Sequence, residues 1–374
     1  MITKKRLRPL AQDIGRMLGQ GLSPEDFIKL MNRTELNCDT LEKISEGEDF
    51  VLAADSLGDD AYAYAEEHEK LGHLATASQY FSNACALYRL ADYGIKDPTE
   101  EKMSINKKIY NSFRKSKAVT SYDKVINIEV PFEGNSIPGY LLIPDNAPKN
   151  VPVVIYVPGA TGYKEENYLN ARKCWERGVA TIIFDGPGQG EALHYRNMYY
   201  TVDNYERAVK AIIDFIHNDP RLGNKIGIMG ISYGGYLATR ATCFNNDFIS
   251  ALVCRGGSSK TDDLTRRPIA GIEDFYLKNF TFKFNEYDNE IAKKISSEMN
   301  IGPFLKNITC PVLVQHTEED PILGVEGAKN IYEMVSSENK EYYKIPGNVH
   351  CGCNENEKVG NHGADWIVDI LLNA

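Results

Sequence analysis

No stretch of this 374-residue chain approaches the roughly 18 consecutive apolar residues that a membrane-spanning helix needs, so no membrane partner is expected. An excess of basic charge is also missing. The formal net charge is −10 and no dense Lys/Arg stripe occurs, which argues against a nucleic-acid surface. The start, Met1 to Arg8, is basic but lacks the apolar run of a secretory signal. A cytoplasmic location with reduced thiols is therefore the expectation for the eight cysteines, several of which sit in apolar runs as small core residues do. H-C-G-C at His350 to Cys353 has no second ligand pair to match it, so no metal is expected. Gly72, Ala75, Tyr80 and Ala84 hint at one helical-hairpin repeat, but no second copy follows at a fixed period, which argues against a solenoid.

What is present is an ordinary globular composition, 43% apolar and 25% charged, over a length that suggests one large domain with an accessory part. Residues 1–120 read as helical. Ser23 followed by Pro24 has the form of a capped helix start, and Leu74, Ala77, Phe81, Ala84 and Leu87 recur at helical spacing. Tyr62, Tyr64, Tyr80, Tyr88 and Tyr93 form an aromatic stripe that packs first and is a candidate pocket wall second.

From Lys124 the pattern turns to strands. The run 124–130 alternates, as an edge strand with one wet face should, and 137–144 follows after a turn at Glu133-Gly134-Asn135. The runs at 151–157, 179–184, 225–230, 249–254 and 311–316 are apolar on both faces, as buried parallel strands are, and 341–346 closes the set. Helical patterns separate them; Val209, Ile212, Ile213 and Ile216 make one apolar face. Strands alternating with helices imply a parallel sheet with right-handed crossovers. Eight strands, with a serine turn after the fifth, give the α/β-hydrolase order. The expected division is a helical cap domain at 1–120 and a catalytic domain at 121–374, with a lid insertion at about 258–308 that joins the cap over the site.

The serine turn is K-I-G-I-M-G-I-S-Y-G-G-Y, Lys225 to Tyr236. A strand, G-x-S-x-G and a helix are the context of a nucleophile elbow, a turn so tight that the positions two before and two after the serine must be small. Gly230 and Gly234 occupy them, which makes Ser232 the candidate nucleophile. A serine hydroxyl needs a base and the base needs an orienting acid, in the chain order serine, acid, histidine. Asp320, in H-T-E-E-D-P-I-L after the seventh strand, is the preferred acid over Glu318 and Glu319. His350, in a loop before the final helix (Ala364 to Leu372), is the preferred base over His316, His194 and His362. Two backbone N–H groups must meet the developing oxyanion. Tyr233 and, in the V-P-G-A-T-G-Y loop after the third strand, Ala160 are the expected donors. The loop F-D-G-P-G-Q-G-E (184–191) lacks the G-K-[ST] ending of a phosphate cradle and reads as a structural loop at the rim of the site.

Together, F-D-G-P-G-Q-G-E, G-I-S-Y-G-G-Y, the D-P-I acid turn and V-H-C before a terminal A-D-W-I helix resemble one branch of the α/β-hydrolases. That branch includes the dihydroxypseudooxynicotine hydrolase type, which breaks carbon–carbon bonds, and fungal enzymes that shorten polyketides. The likeness covers the chain from about residue 124 onward; the helical N-terminus is similar in layout more than in motif. The resemblance implies the triad Ser232, Asp320 and His350, a homodimer, a helical cap and no cofactor. It departs at the end of the sixth strand. Where the carbon–carbon hydrolase has an acidic residue, this chain reads C-R-G-G-S-S-K-T-D-D, and Arg255 is a candidate substrate-binding residue. The reading is a serine hydrolase that cleaves a carbon–carbon bond beside a ketone, or an ester or thioester, in a small-molecule substrate. The alternatives are a cyclase or dehydratase in natural-product assembly, or a non-catalytic binding module.

Overall fold

The computed structural model describes residues 18–19, 21–34, 48–95, 99–120, 124–145, 147–160, 162–260, 294 and 298–373. Most of the expected lid insertion lies outside them. Of that stretch, Lys260 and Asn300 form an antiparallel bridge and 302–307 a short 3₁₀ turn. The chain divides into two compact units, residues 1–125 and 126–374.

The first unit is helical: α1 (Pro24–Arg33), α2 (Glu48–Lys70), α3 (Leu74–Gly94) and α4 (Glu100–Ala118). The Ser23 hydroxyl accepts the Asp26 N–H with Pro24 at the first helical position, so the start of α1 satisfies one otherwise orphaned donor. Thr99 caps α4 in the same way. Ala65, Ala77 and Phe81 are fully buried between α2 and α3, and Tyr62 packs edge-on to Phe81. Tyr88 is buried and donates to Asp59, while the exposed Tyr64 packs tilted against the half-buried Tyr80.

The described residues of the second unit form an eight-stranded sheet. Its strands are β1 (Val125–Phe132), β2 (Asn135–Leu142), β3 (Val151–Val157), β4 (Ala180–Phe184), β5 (Leu222–Ile231), β6 (Ala251–Arg255), β7 (Val312–Thr317) and β8 (Lys340–Ile345). The spatial order is β1-β2-β4-β3-β5-β6-β7-β8. Glu133 and Gly134, both at positive φ, make the two-residue turn between β1 and β2. β2 meets β4 antiparallel, and every pairing from β4 through β8 is parallel. β1 alternates exposed and buried residues at the sheet edge, whereas β4 and β6 are buried throughout.

Helices cover the sheet: α5 (Tyr168–Trp175), α6 (Gly190–Arg196), α7 (Asn204–Asn218), α8 (Tyr233–Asn245), α9 (Val325–Met334) and α10 (Asn356–Asn373). The periodic face of α7, Val209, Ile212, Ile213 and Ile216, is fully buried. α10 begins eight residues earlier than the expected Ala364. None of the helices among the described residues is long and apolar enough to cross a membrane.

Candidate active site

β5 ends at Ile231 and α8 begins at Tyr233, leaving Ser232 alone at the bend with φ 57° and ψ −126°. That conformation is one that residues with a Cβ rarely adopt, and it aims the side chain off the end of the strand. The flanking glycines are required by contact. A Cβ at Gly230 would lie 2.0 Å from the Gly234 carbonyl oxygen, and one at Gly234 would lie 2.3 Å from that of Val157. Backbone atoms cannot yield as a flexible side-chain tip does. The Ser232 N–H donates to the Arg255 carbonyl at 2.8 Å, tying the elbow to the end of β6.

The loops after β7 and β8 bring the partners. The Ser232 hydroxyl lies 2.7 Å from His350 Nε2, and His350 Nδ1 lies 2.8 and 2.9 Å from the two Asp320 oxygens. A carboxylate only accepts, so Nδ1 carries the proton and Nε2 is left to accept from the serine. Asp320 is fixed in turn by the N–H groups of Ile322, Leu323 and Cys351. Burial alone would push its carboxyl up, but the adjacent imidazole and these donors hold it at about 2. Burial would push the His350 imidazole down. The carboxylate beside it outweighs burial and raises it well above its ordinary value. Cys351 Sγ lies 3.3 Å from the same Nε2.

The rival side chains are engaged elsewhere. Glu318 is exposed and pairs with Lys344, and Glu319 is exposed. His316 is fully buried, donates from Nδ1 to the Thr317 carbonyl, and is held below its ordinary value by burial. His194 bonds the Tyr163 hydroxyl, and His362 meets the Gln315 amide and stacks on Tyr343.

The loop after β3 passes against the elbow, since a Cβ at Gly159 would lie 3.5 Å from Ser232 Cβ. Ala160 follows it and is buried. Sequence reasoning missed what holds this loop, although it had singled out the segment that does so. From F-D-G-P-G-Q-G-E, the Gln189 amide donates to the carbonyls of Pro158 and Gly159, while its oxygen accepts from Tyr205. Asp185 accepts the backbone N–H of both Lys164 and Glu191. Lys164 is completely buried and forms ion pairs with Asp185, Glu165 and Glu191 at 2.9, 3.1 and 2.9 Å. Despite burial, these carboxylates raise Lys164 well above its ordinary value, and burial raises Glu165. Arg255 is also buried, with its guanidinium turned to the carbonyls of Cys351 and Gly352.

Residues 152–287 match a family model described as the alpha/beta hydrolase fold. The 2,6-dihydropseudooxynicotine hydrolase of Paenarthrobacter nicotinovorans is 26% identical over 321 residues, covering 85% of this chain and 83% of that protein. The 20-hydroxy-prefusarin hydrolase of Gibberella moniliformis is 29% identical over 216 residues, 54% of this chain and 51% of the relative. The chain thus spans about half the length of that fungal relative. The crystal structure of a 2,6-dihydroxy-pseudo-oxynicotine hydrolase superposes with a TM-score of 0.82 at 23% identity, over 96% of each chain. Sheet order, the strand–serine–helix turn and these matches agree that the chain has the α/β-hydrolase fold, and its sequence is similar to hydrolases of bacterial and fungal origin.

Proposed function

We propose that the chain is a serine hydrolase that cleaves either a carbon–carbon bond beside a ketone or an ester or thioester bond of a small organic substrate. The observation that carries this reading is the continuous hydrogen-bonded line from Ser232 through His350 to Asp320. His350 takes the serine proton as Oγ attacks the carbonyl carbon, and Asp320 stabilises the resulting imidazolium. The tetrahedral oxyanion accepts the backbone N–H groups of Tyr233 and Ala160. Collapse breaks the bond to the leaving group, which takes the proton back from His350. For a carbon–carbon bond the leaving carbanion must be stabilised by a neighbouring carbonyl, hence the requirement for a ketone. Water, deprotonated by His350, then attacks the acyl-serine, releasing the acid and restoring Ser232.

The test is labelling by a fluorophosphonate probe, followed by turnover of β-diketones, aryl esters and acyl thioesters. The wild type is expected to label once, at Ser232, and Ser232→Ala is expected to lose both label and turnover. Turnover kept within about tenfold in Ser232→Ala would overturn the serine mechanism, since losing a triad member commonly costs on the order of 10⁴ or more.

A further inference from the structure

Arg255 is 5% exposed, yet among the described residues no carboxylate pairs with it. Its partners are main-chain carbonyls: Nε donates to Cys351 at 2.8 Å and Nη2 to Gly352 at 3.4 Å. A buried cation without a counter-charge is costly, so this placement calls for an explanation beyond packing. The two carbonyls are presented to it by successive left-handed residues, Cys351 at φ 57° and Gly352 at φ 60°. For cysteine that conformation is unfavourable and needs support from its surroundings. The Cys351 peptide is consequently gripped on both sides, its N–H by Asp320 Oδ2 at 3.3 Å and its oxygen by Arg255. The preceding residue is His350. Meanwhile the main-chain carbonyl of Arg255 receives the Ser232 N–H. One residue therefore touches the nucleophile's turn through its backbone and the histidine's loop through its side chain.

We propose that Arg255 is a positioning residue whose guanidinium fixes the 350–352 turn, so that His350 Nε2 is held in hydrogen-bond reach of Ser232. The proposal rests on the triad reading above. The guanidinium's hydrogen bonds run to carbonyls of the loop, so it acts through the loop's geometry. A planar fork with several donors suits two neighbouring carbonyls better than a point ammonium does.

The experiment compares wild type, Ser232→Ala, Arg255→Met and Arg255→Lys for fluorophosphonate labelling rate, kcat and KM, with circular dichroism as the check on folding. Arg255→Met keeps the length and loses every donor, and a base displaced by about 1 Å can cost about 10²-fold in rate. It is expected to slow labelling and kcat by about 10- to 100-fold while KM stays within about threefold. Arg255→Lys, which keeps the charge but only one donor nitrogen in place of the fork, is expected to fall between Met and wild type. Arg255→Met within about twofold of wild type, or Met and Lys equally slow, would overturn the positioning role. If Arg255→Met does not fold, Arg255→Lys against wild type decides: an intermediate loss in kcat supports the role, and none overturns it. Failure of the wild type to label, or labelling of Ser232→Ala, would instead sink the triad reading itself.

Discussion

The strained backbone of Ser232 makes a prediction in which two equally inactive variants differ in stability. At φ 57° and ψ −126° the residue occupies a region where glycine is at ease and a Cβ is not. Strain of this kind costs roughly 1–3 kcal/mol per residue. Ser232→Gly and Ser232→Ala both lose the hydroxyl and its bond to His350, so the difference between them isolates the backbone. Glycine relieves the strain but returns about 0.4–1 kcal/mol of chain entropy to the unfolded state. Ser232→Gly should therefore be more stable than Ser232→Ala by about 0.5–2 kcal/mol. For a unit of about 250 residues this raises Tm by roughly 2–4 °C per kcal/mol. Differential scanning calorimetry of the two variants, matched in pH and salt, measures it, and neither should label with a fluorophosphonate. Ser232→Ala melting at or above the temperature of Ser232→Gly would refute the inference that the elbow is held under strain by its neighbours.

Two further outcomes follow from charge. The neutral imidazole is the competent base, and Asp320 raises His350 above 6.5, so kcat/KM should climb with pH through a limb above that value. Asp320→Asn should move this limb to lower pH, because the charge favouring imidazolium is gone, and should lower kcat by about 10⁴, whereas Glu318→Gln and Glu319→Gln should be mild. A pH–rate series checks both, and a limb that moves up in Asp320→Asn would contradict the electrostatics. Lys164→Met should leave Asp185 and Glu165 buried without their cation and destabilise the fold by about 3–5 kcal/mol. That deficit should shrink as pH falls and Glu165, which burial already raises, takes up a proton; urea unfolding across pH reads it, and a deficit independent of pH would count against the ion cluster.

The local parts of this protein are written in local sequence. Period-two and doubly apolar runs set the strands because the pleat alternates faces, and the face of α7 follows from the helical repeat. The elbow is likewise local. Gly230 and Gly234 sit two residues either side of Ser232, and the turn that needs them spans only those positions. What the sequence left open was which distant groups meet. Asp320, Glu318 and Glu319 are nearly equivalent along the chain. Only the meeting of the loops after β7 and β8 buries Asp320 against His350 and leaves Glu318 at the surface with Lys344. Arg255 reads as an isolated charge at a strand end until the left-handed turn at Cys351 and Gly352 brings two carbonyls to it. Lys164 and Glu165 follow β3 whereas Asp185 and Glu191 follow β4, so the cluster is complete only once those strands lie side by side. Backbone geometry acts over a few residues and can be read from spacing. Burial and electrostatic pairing act through space, and the chain's path through the sheet alone determines which charges become neighbours.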